Sequence, residues 1–391
     1  MIRNKFLFAV VFILIFFSFE TSAVPTSPQL GVWITVFSEG DVLYSKQSAD
    51  TLIKTCKDNG INNIYLQIFR AGKAYYKSSY YDSKEYDKMF VSFGSDPINY
   101  IASECKKNNI KLHAWVNLLS VATNKNAQII KDIGSSAVTL DNQGQTALMN
   151  DKKEPLDMYY IRENQLFLEP GNLEVRNYLV KTVAEIAEKY PVFAGIHLDY
   201  VRYPSVVPFI PGSRFSTHGL TYGYTYRNLT AFQQTTGIDI KGPNLSRKDH
   251  LKWDNWRREK VTSLVEDISI KIKKINSKII LSCAVNPSPE RAYTVYFQSW
   301  VYWLKENFID EVVTMNYSDD SELVALNTDL SMIKGYEEKV FIGVGAFLLG
   351  KELDTLKDQL YTLKALKPAG IVIFSYDDIL KNPEILKTLK S

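Results

Sequence analysis

Eight short apolar runs punctuate this chain, and each is followed by an amphipathic stretch long enough for a helix. The runs cover 31–36, 64–69, 112–118, 195–200, 279–285, 312–316, 340–346 and 370–375. The helical patterns cover 47–59, 96–108, 173–189, 253–275, 298–306, 320–334, 352–366 and 378–390. Strands alternating with helices of this length build βαβ units and a parallel sheet. Eight units close into a (β/α)8 TIM-like barrel, an α/β fold. The 391 residues leave room for two domains, but one barrel with insertions accounts for 24–391 as a single catalytic domain. A weak internal echo agrees. The segments 53–61 and 101–110 each read as a helix that stops at Asn or Gly just before a strand.

Two connections are long: 119–172 after the third strand and 201–252 after the fourth. Both lie on the carboxyl side of a strand, over the presumed active face. Long loops in a compact domain usually carry function. The second holds Phe209, Phe215, Tyr222, Tyr224 and Tyr226, then a short helix ending near Gly237. These loops are expected to wall a cleft.

The segment 193–204 carries the strongest chemical signal. It is apolar apart from His197, then brings Asp199, Tyr200, Arg202 and Tyr203 together before Pro204 stops it. Charge at the carboxyl end of a buried parallel strand is where α/β folds keep their chemistry. The competing reading is a buried Asp199–Arg202 ion pair that merely closes the strand. Other strand ends are polar too: Gln67 and Arg70, then His113, Trp115 and Asn117, then Asn316, Tyr317 and Asp319, then Tyr376. Amides and guanidinium groups bind hydroxyls, aromatics stack on sugar faces, and carboxylates move protons. The chain has 24 Tyr, 20 Phe and 6 Trp, which suits a polyhydroxylated ligand.

The remaining features set bounds. A net charge of +3 gives no reason to expect a nucleic-acid partner. Residues 1–23 read as a secretory signal peptide: Arg3 and Lys5, an apolar run, then Thr21-Ser22-Ala23. Cleavage after Ala23 would leave a secreted or periplasmic protein without stable membrane insertion; an uncleaved anchor is the alternative. Cys56, Cys105 and Cys283 form no disulfide framework. One Cys56–Cys105 bridge is conceivable, with buried free thiols preferred. The four histidines lack zinc spacing, so neither metal nor cofactor is expected.

Several segments together carry a resemblance. They are Val32-Trp33, His113-Ala114-Trp115-Val116-Asn117, Leu168-Glu169-Pro170-Gly171, the run from Gly195 to Pro204, and the run from Trp253 to Val261. In combination they resemble the bacterial glycosyl-hydrolase-like 10 family across residues 30 to 376. The resemblance implies a TIM-like barrel acting on glycans, including the glycan strands of peptidoglycan, with Asp199 as the strand-four carboxylate beside Arg202 and Tyr203. Glu169 departs from the pattern, which favours Asn or Asp there. Met315-Asn316-Tyr317-Ser318-Asp319 and Ser375-Tyr376-Asp377 are also similar to family-18 chitinase motifs. Their strand-four acid would fall at Val201, so their substrate-assisted mechanism does not transfer by position.

The expectation is therefore an exported, monomeric glycoside hydrolase of a bacterial polysaccharide, built on a pair of carboxylates. Asp199 is one. Asp319 is the first choice for the second, with Glu169 and Glu290 behind it. His113, Trp115, Asn117, His197, Arg202, Tyr203, Asn316, Tyr317, Tyr376, Gln67 and Arg70 are expected to bind substrate. Arg202 is expected to keep Asp199 ionised. The alternative is a non-catalytic glycan-binding barrel that has lost the second acid.

Overall fold

The computed structural model describes residues 28–148, 160–208, 220–349 and 352–390. The expected signal peptide, Phe209 and Phe215 lie outside them.

The barrel strands are β1 (Gln29–Ile34), β2 (Ile61–Arg70), β3 (Lys111–Asn117), β4 (Gly195–Asp199), β5 (Ile280–Val285), β6 (Glu311–Met315), β7 (Val340–Gly345) and β8 (Gly370–Phe374). Each is parallel to its neighbours, and β1 pairs with both β8 and β2, so the sheet closes. All eight expected strands are present. The helices outside them are α1 (Lys46–Asp58), α2 (Pro97–Lys107), α3 (Leu173–Lys189), α4 (Arg247–Ile275), α5 (Trp300–Lys305), α6 (Ser321–Ser331), α7 (Leu353–Leu366) and α8 (Tyr376–Lys381). The last helical pattern is two helices, not one. Pro383 cannot continue a helix, so α8 ends and a separate helix covers Glu384–Lys390.

Side chains alternate across each strand, so every second residue faces the barrel interior. On β3 these are His113, Trp115 and Asn117. On β4 they are Gly195, His197 and Asp199, in register with the β3 set. The interior is thus filled in layers, as barrels of this kind are. Two glycines make the lower layers fit. A Cβ on Gly195 would lie 2.4 Å from His113 Nδ1, and one on Gly343 would lie 2.7 Å from the Trp33 ring.

The two long loops form one wall. Tyr160–Arg162 pairs antiparallel with Val206–Pro208, joining the loop after β3 to the loop after β4. Helix α4 fastens the second loop from outside. It begins in a capping box of Ser246 and Asp249. Trp253 stacks on Trp256 at 5.2 Å, and Arg257 donates to Thr221 Oγ1 and to the Tyr222 carbonyl. The Trp-x-x-Trp-Arg motif is therefore a fastening for a site-bearing loop. The expected short helix is present as Tyr226–Thr236, closed by Gly237 in the left-handed conformation. A third long connection, after β2, contains an additional helix at Lys84–Phe93. Cys56, Cys105 and Cys283 are free and buried, with no bridge between the first two. No helix among the described residues is long and apolar enough to cross a membrane.

Candidate active site

A cleft of about 550 Å³ opens at the carboxyl ends of the strands. Asp199 stands at its base as the last residue of β4, only 7% exposed. Oδ2 accepts from Trp115 Nε1 at 3.1 Å, and Oδ1 accepts from the Tyr200 amide at 2.6 Å. Tyr200 has φ +55°, so the chain turns sharply and brings its own N–H onto the carboxylate. A non-glycine residue in that region is strained, and such strain concentrates at functional sites. Burial pushes the Asp199 pKa up to about 6, against the Tyr200 amide, the Arg202 charge and the Trp115 indole, which lower it. A carboxyl group of that kind holds its proton far better than an exposed aspartate.

Arg202 does not pair with Asp199. Its guanidinium grips Glu163 by two nitrogens, at 2.8 and 3.0 Å, and Ser205 donates to the same carboxylate at 2.7 Å. Both charges are largely buried, so each needs the other. The expectation that Arg202 keeps Asp199 ionised is therefore corrected: burial outweighs a cation whose charge Glu163 already offsets. Tyr200, Phe167 and Tyr296 surround the guanidinium at 5.0 to 5.5 Å.

The couple should still tune Asp199, because Glu163 raises its pKa and Arg202 lowers it. The other titratable groups that interact with Asp199 are Cys283 on β5, Tyr317 beyond β6 and Tyr200, all raised first of all by burial and so uncharged near neutrality. Glu163→Gln is expected to move the Asp199-dependent limb of the pH–rate profile toward acid, and Arg202→Met toward alkali. A limb that stays put in both variants would show that the couple does not act on Asp199.

Aromatic rings enclose the rest of the cleft. Trp33, Trp115, Tyr317 and Phe374 lie with centroids 5.7 to 6.4 Å apart in successive edge or tilted contacts. Thr35, Gln67, Arg70, Asn117 and Gln165 add polar atoms. Gln67 donates to Asn117 Oδ1 at 3.1 Å, and Ser120 to Gln165 Oε1 at 2.5 Å. A shift of register between Gln67 and Phe69 marks an irregularity in β2 beneath these groups, a device that commonly re-aims side chains near active sites.

Six of the expected ligand-binding residues line this cleft: Gln67, Arg70, Trp115, Asn117, Arg202 and Tyr317. The others serve elsewhere. His197 lies wholly buried one layer below Asp199, between Trp33 Nε1 at 3.2 Å and Ser282 Oγ at 2.9 Å. His113 stacks on Tyr65 and contacts Asn63 Oδ1. Burial holds both imidazoles neutral, His113 down to about 3. Asn316 holds α6 through the Val324 carbonyl and Thr328. Tyr203 donates to Glu169 at 2.7 Å behind the cleft wall. Tyr376 is buried in the core, its pKa pushed up by burial to about 12.

The candidate second acids are not at the cleft. Asp319, on the loop after β6, and Glu290, in the short helix Pro289–Arg291, are exposed and do not line the cleft, and Glu169 is fully buried among three donors. Among the described residues that line the cleft, Asp199 is the sole carboxylate. Trp33, Thr35, Tyr200, Glu163, Gln165 and Phe374 belong to the site but were not expected as site residues. Trp33, Thr35 and Phe374 could have been found by following inward alternation to each strand end. Glu163 and Gln165 come from mid-loop, where no periodicity points. No group of three His, Cys, Asp or Glu among the described residues could hold a metal ion.

A parallel barrel with a buried carboxyl and an aromatic cleft at its carboxyl face is the architecture of glycoside-hydrolase barrels. The chain belongs to the glycosyl hydrolase-like 10 family, whose profile matches residues 29–348. It is 23% identical over 360 residues to glycosyl hydrolase DigH of Escherichia coli K12, covering 83% of this chain and 74% of that one. It is 24% identical over 376 residues to glycosyl hydrolase YngK of Bacillus subtilis, covering 86% and 64%. Among solved structures, the catalytic domain of β-amylase from Paenibacillus polymyxa superposes with a TM-score of 0.54 at 13% identity, covering 91% and 94%. A β-galactosidase from Bacillus circulans gives 0.54 at 12%, covering 90% and 50%. These two likenesses establish the fold.

Proposed function

We propose that this protein is an exported glycoside hydrolase that cleaves glycosidic bonds in a bacterial polysaccharide, with the glycan strands of peptidoglycan as the first substrate to test. The observation that carries the reading is the Asp199 carboxyl, buried at the base of an aromatic cleft and held by the Trp115 indole and the Tyr200 amide. Family membership and the relatives' names support the reaction class. A sugar ring would stack on the indoles and phenols, with hydroxyls held by Gln67, Asn117, Arg70 and Gln165. Asp199 would protonate the departing glycosidic oxygen, the role that suits an acid whose pKa is raised toward neutrality. Trp115 and Tyr200 fix its orientation by one hydrogen bond to each oxygen. Export follows from the N-terminal pattern, and the secreted protein should begin at Val24 by N-terminal sequencing.

The test is incubation of the protein with purified peptidoglycan glycan strands, with and without stem peptides, followed by mass analysis. New reducing ends at stoichiometries far above that of the protein support hydrolysis. Binding without cleavage would favour the non-catalytic barrel instead.

A further inference from the structure

We infer that the flank of the barrel carries a second, non-catalytic glycan-binding site, where Tyr293 and Tyr302 hold one stretch of a strand while another stretch lies in the cleft. The inference rests on the hydrolase reading above for the nature of the ligand and adds to it a site outside the cleft.

A separate cavity of about 240 Å³ opens between the segment after β5 and α5. Tyr293 and Tyr302 line it and are 46% and 49% exposed. Both rings are braced. The Arg258 guanidinium lies 3.5 Å from the centre of the Tyr293 ring, and its Nε donates to the Tyr293 carbonyl at 3.0 Å. Tyr302 meets Phe308 edge-on, with centroids 6.0 Å apart. The floor is fixed as well. Gln298 accepts from the Asn286 amide at 3.0 Å and donates to the Ala284 carbonyl at 3.4 Å. A ring fixed before binding loses little entropy when a ligand stacks on it. A phenol joins an apolar face to a polar tip, which matches the carbon face of a pyranose and the hydroxyls at its edge.

The polar groups in this lining are short of acceptors. Ser299 is 7% exposed, and its hydroxyl has no hydrogen-bond partner among the described residues. Trp300 is wholly buried, and its indole N–H is unpartnered too. Buried polar groups are nearly always paired, so unpaired ones call for a water or a ligand. Lys305 is exposed and forms no ion pair among the described residues, and no carboxylate lines the cavity. Such a surface suits a ligand rich in acceptor oxygens, as a glycan strand with acyl or carboxyl substituents is.

One turn of backbone serves both sites. The π-helical turn Ala292–Tyr296 places Tyr293 at the cavity and Tyr296 5.2 Å from the guanidinium of Arg202, which lines the cleft. Turns of this kind are frequent at functional sites. A strand that reaches from cleft to cavity makes its second contact intramolecularly, so affinity rises with no change in the chemistry.

The experiment uses the full chain from Val24 and has two arms. In the first, Asp199→Asn protein is titrated with long, purified peptidoglycan glycan strands, with and without Tyr293→Ala and Tyr302→Ala together. The expected result is a Kd raised on the order of 10-fold by the double change, with most of the affinity recovered by Tyr293→Phe and Tyr302→Phe. In the second, the double alanine change in the active protein should raise KM for long strands by a similar factor. It should leave kcat alone, and it should leave kcat/KM alone for oligosaccharides too short to leave the cleft. Where the double variant does not fold, Ser299→Ala and Tyr302→Ala singly decide the matter, each expected to weaken long-strand binding by ~3-fold. An unchanged Kd in the folded variants overturns the inference, and a loss of self-association in its place would make the patch a contact between copies of this chain. Equal losses on long and short substrates overturn it as well, because the tyrosines would then be supporting the cleft. Tyrosine-dependent binding with no cleavage of any strand overturns the hydrolase reading and leaves the second site standing.

Discussion

Asp199→Asn is expected to lower turnover by at least ~100-fold while leaving the fold intact, in line with removal of an acid–base group. The asparagine keeps the shape of the side chain and an oxygen for the Trp115 indole or the Tyr200 amide. It cannot donate a proton to a leaving oxygen. Stability should move the other way with pH. The Asp199 pKa is raised from 3.8 to about 6, first of all by burial. A group raised in this way contributes stability that is fully present below pH 3.8 and is lost as pH rises through about 6. Above that range the buried carboxylate costs roughly 3 kcal/mol, two pKa units at 1.36 kcal/mol each. Asparagine is neutral throughout and escapes this cost, so the Tm of the variant should exceed wild type at pH 8 and lose that advantage by pH 4. Wild-type kcat/KM should fall as pH rises through about 6, because the acid acts in its protonated form. A variant that is destabilised at pH 8 yet fully active would end the catalytic assignment and make Asp199 a structural closure of β4.

The barrel was legible because its strands are buried on both faces and its helices on one. That difference writes itself into the chain as apolar runs and 3.6-residue periodicity, and it gave all eight strands. Asp199 was legible for a related reason: a charge ending an apolar run has few explanations. What failed was depth within the barrel. His113, Trp115 and Asn117 all face inward, yet only the last two line the cleft, because each step of two residues changes the layer. The same rule places His197 beneath Asp199, bonded to Trp33 and Ser282 and sealed from the cleft. Long-range pairing failed differently. Arg202 stands three residues from Asp199, but its partner is Glu163, 39 residues earlier on another loop. Nothing local in either loop specifies that contact. It depends on the antiparallel pairing of Tyr160–Arg162 with Val206–Pro208.

Glu169 is expected to matter for stability and little for chemistry, which separates it from Asp199 in one pair of measurements. Its carboxylate is fully buried and accepts from Thr139 Oγ1 at 2.8 Å, the Tyr203 hydroxyl at 2.7 Å and the Gly171 amide at 2.9 Å. Those donors come from the loop after β3, the segment leaving β4, and the turn before α3, so one side chain ties three pieces of the cleft wall together. Glu169→Ala leaves three donors facing a void. At 1–3 kcal/mol for each abandoned buried group, less what relaxation recovers, the loss should be about 3–5 kcal/mol. A loss of that size is a large share of the stability of a typical domain and should reduce the yield of folded protein. Glu169→Gln is the more telling variant, since it keeps the volume and one acceptor oxygen while turning an amide N–H₂ toward a donor. Its Tm should fall, but turnover per folded molecule should stay within a few-fold of wild type. Tyr203→Phe removes one of the three contacts and should cost about 1 kcal/mol alone. Combined with Glu169→Gln it should cost less than the sum, because the two changes remove one shared bond. A Glu169→Gln protein with wild-type Tm and turnover reduced a hundredfold would instead mean that this carboxylate reaches the substrate.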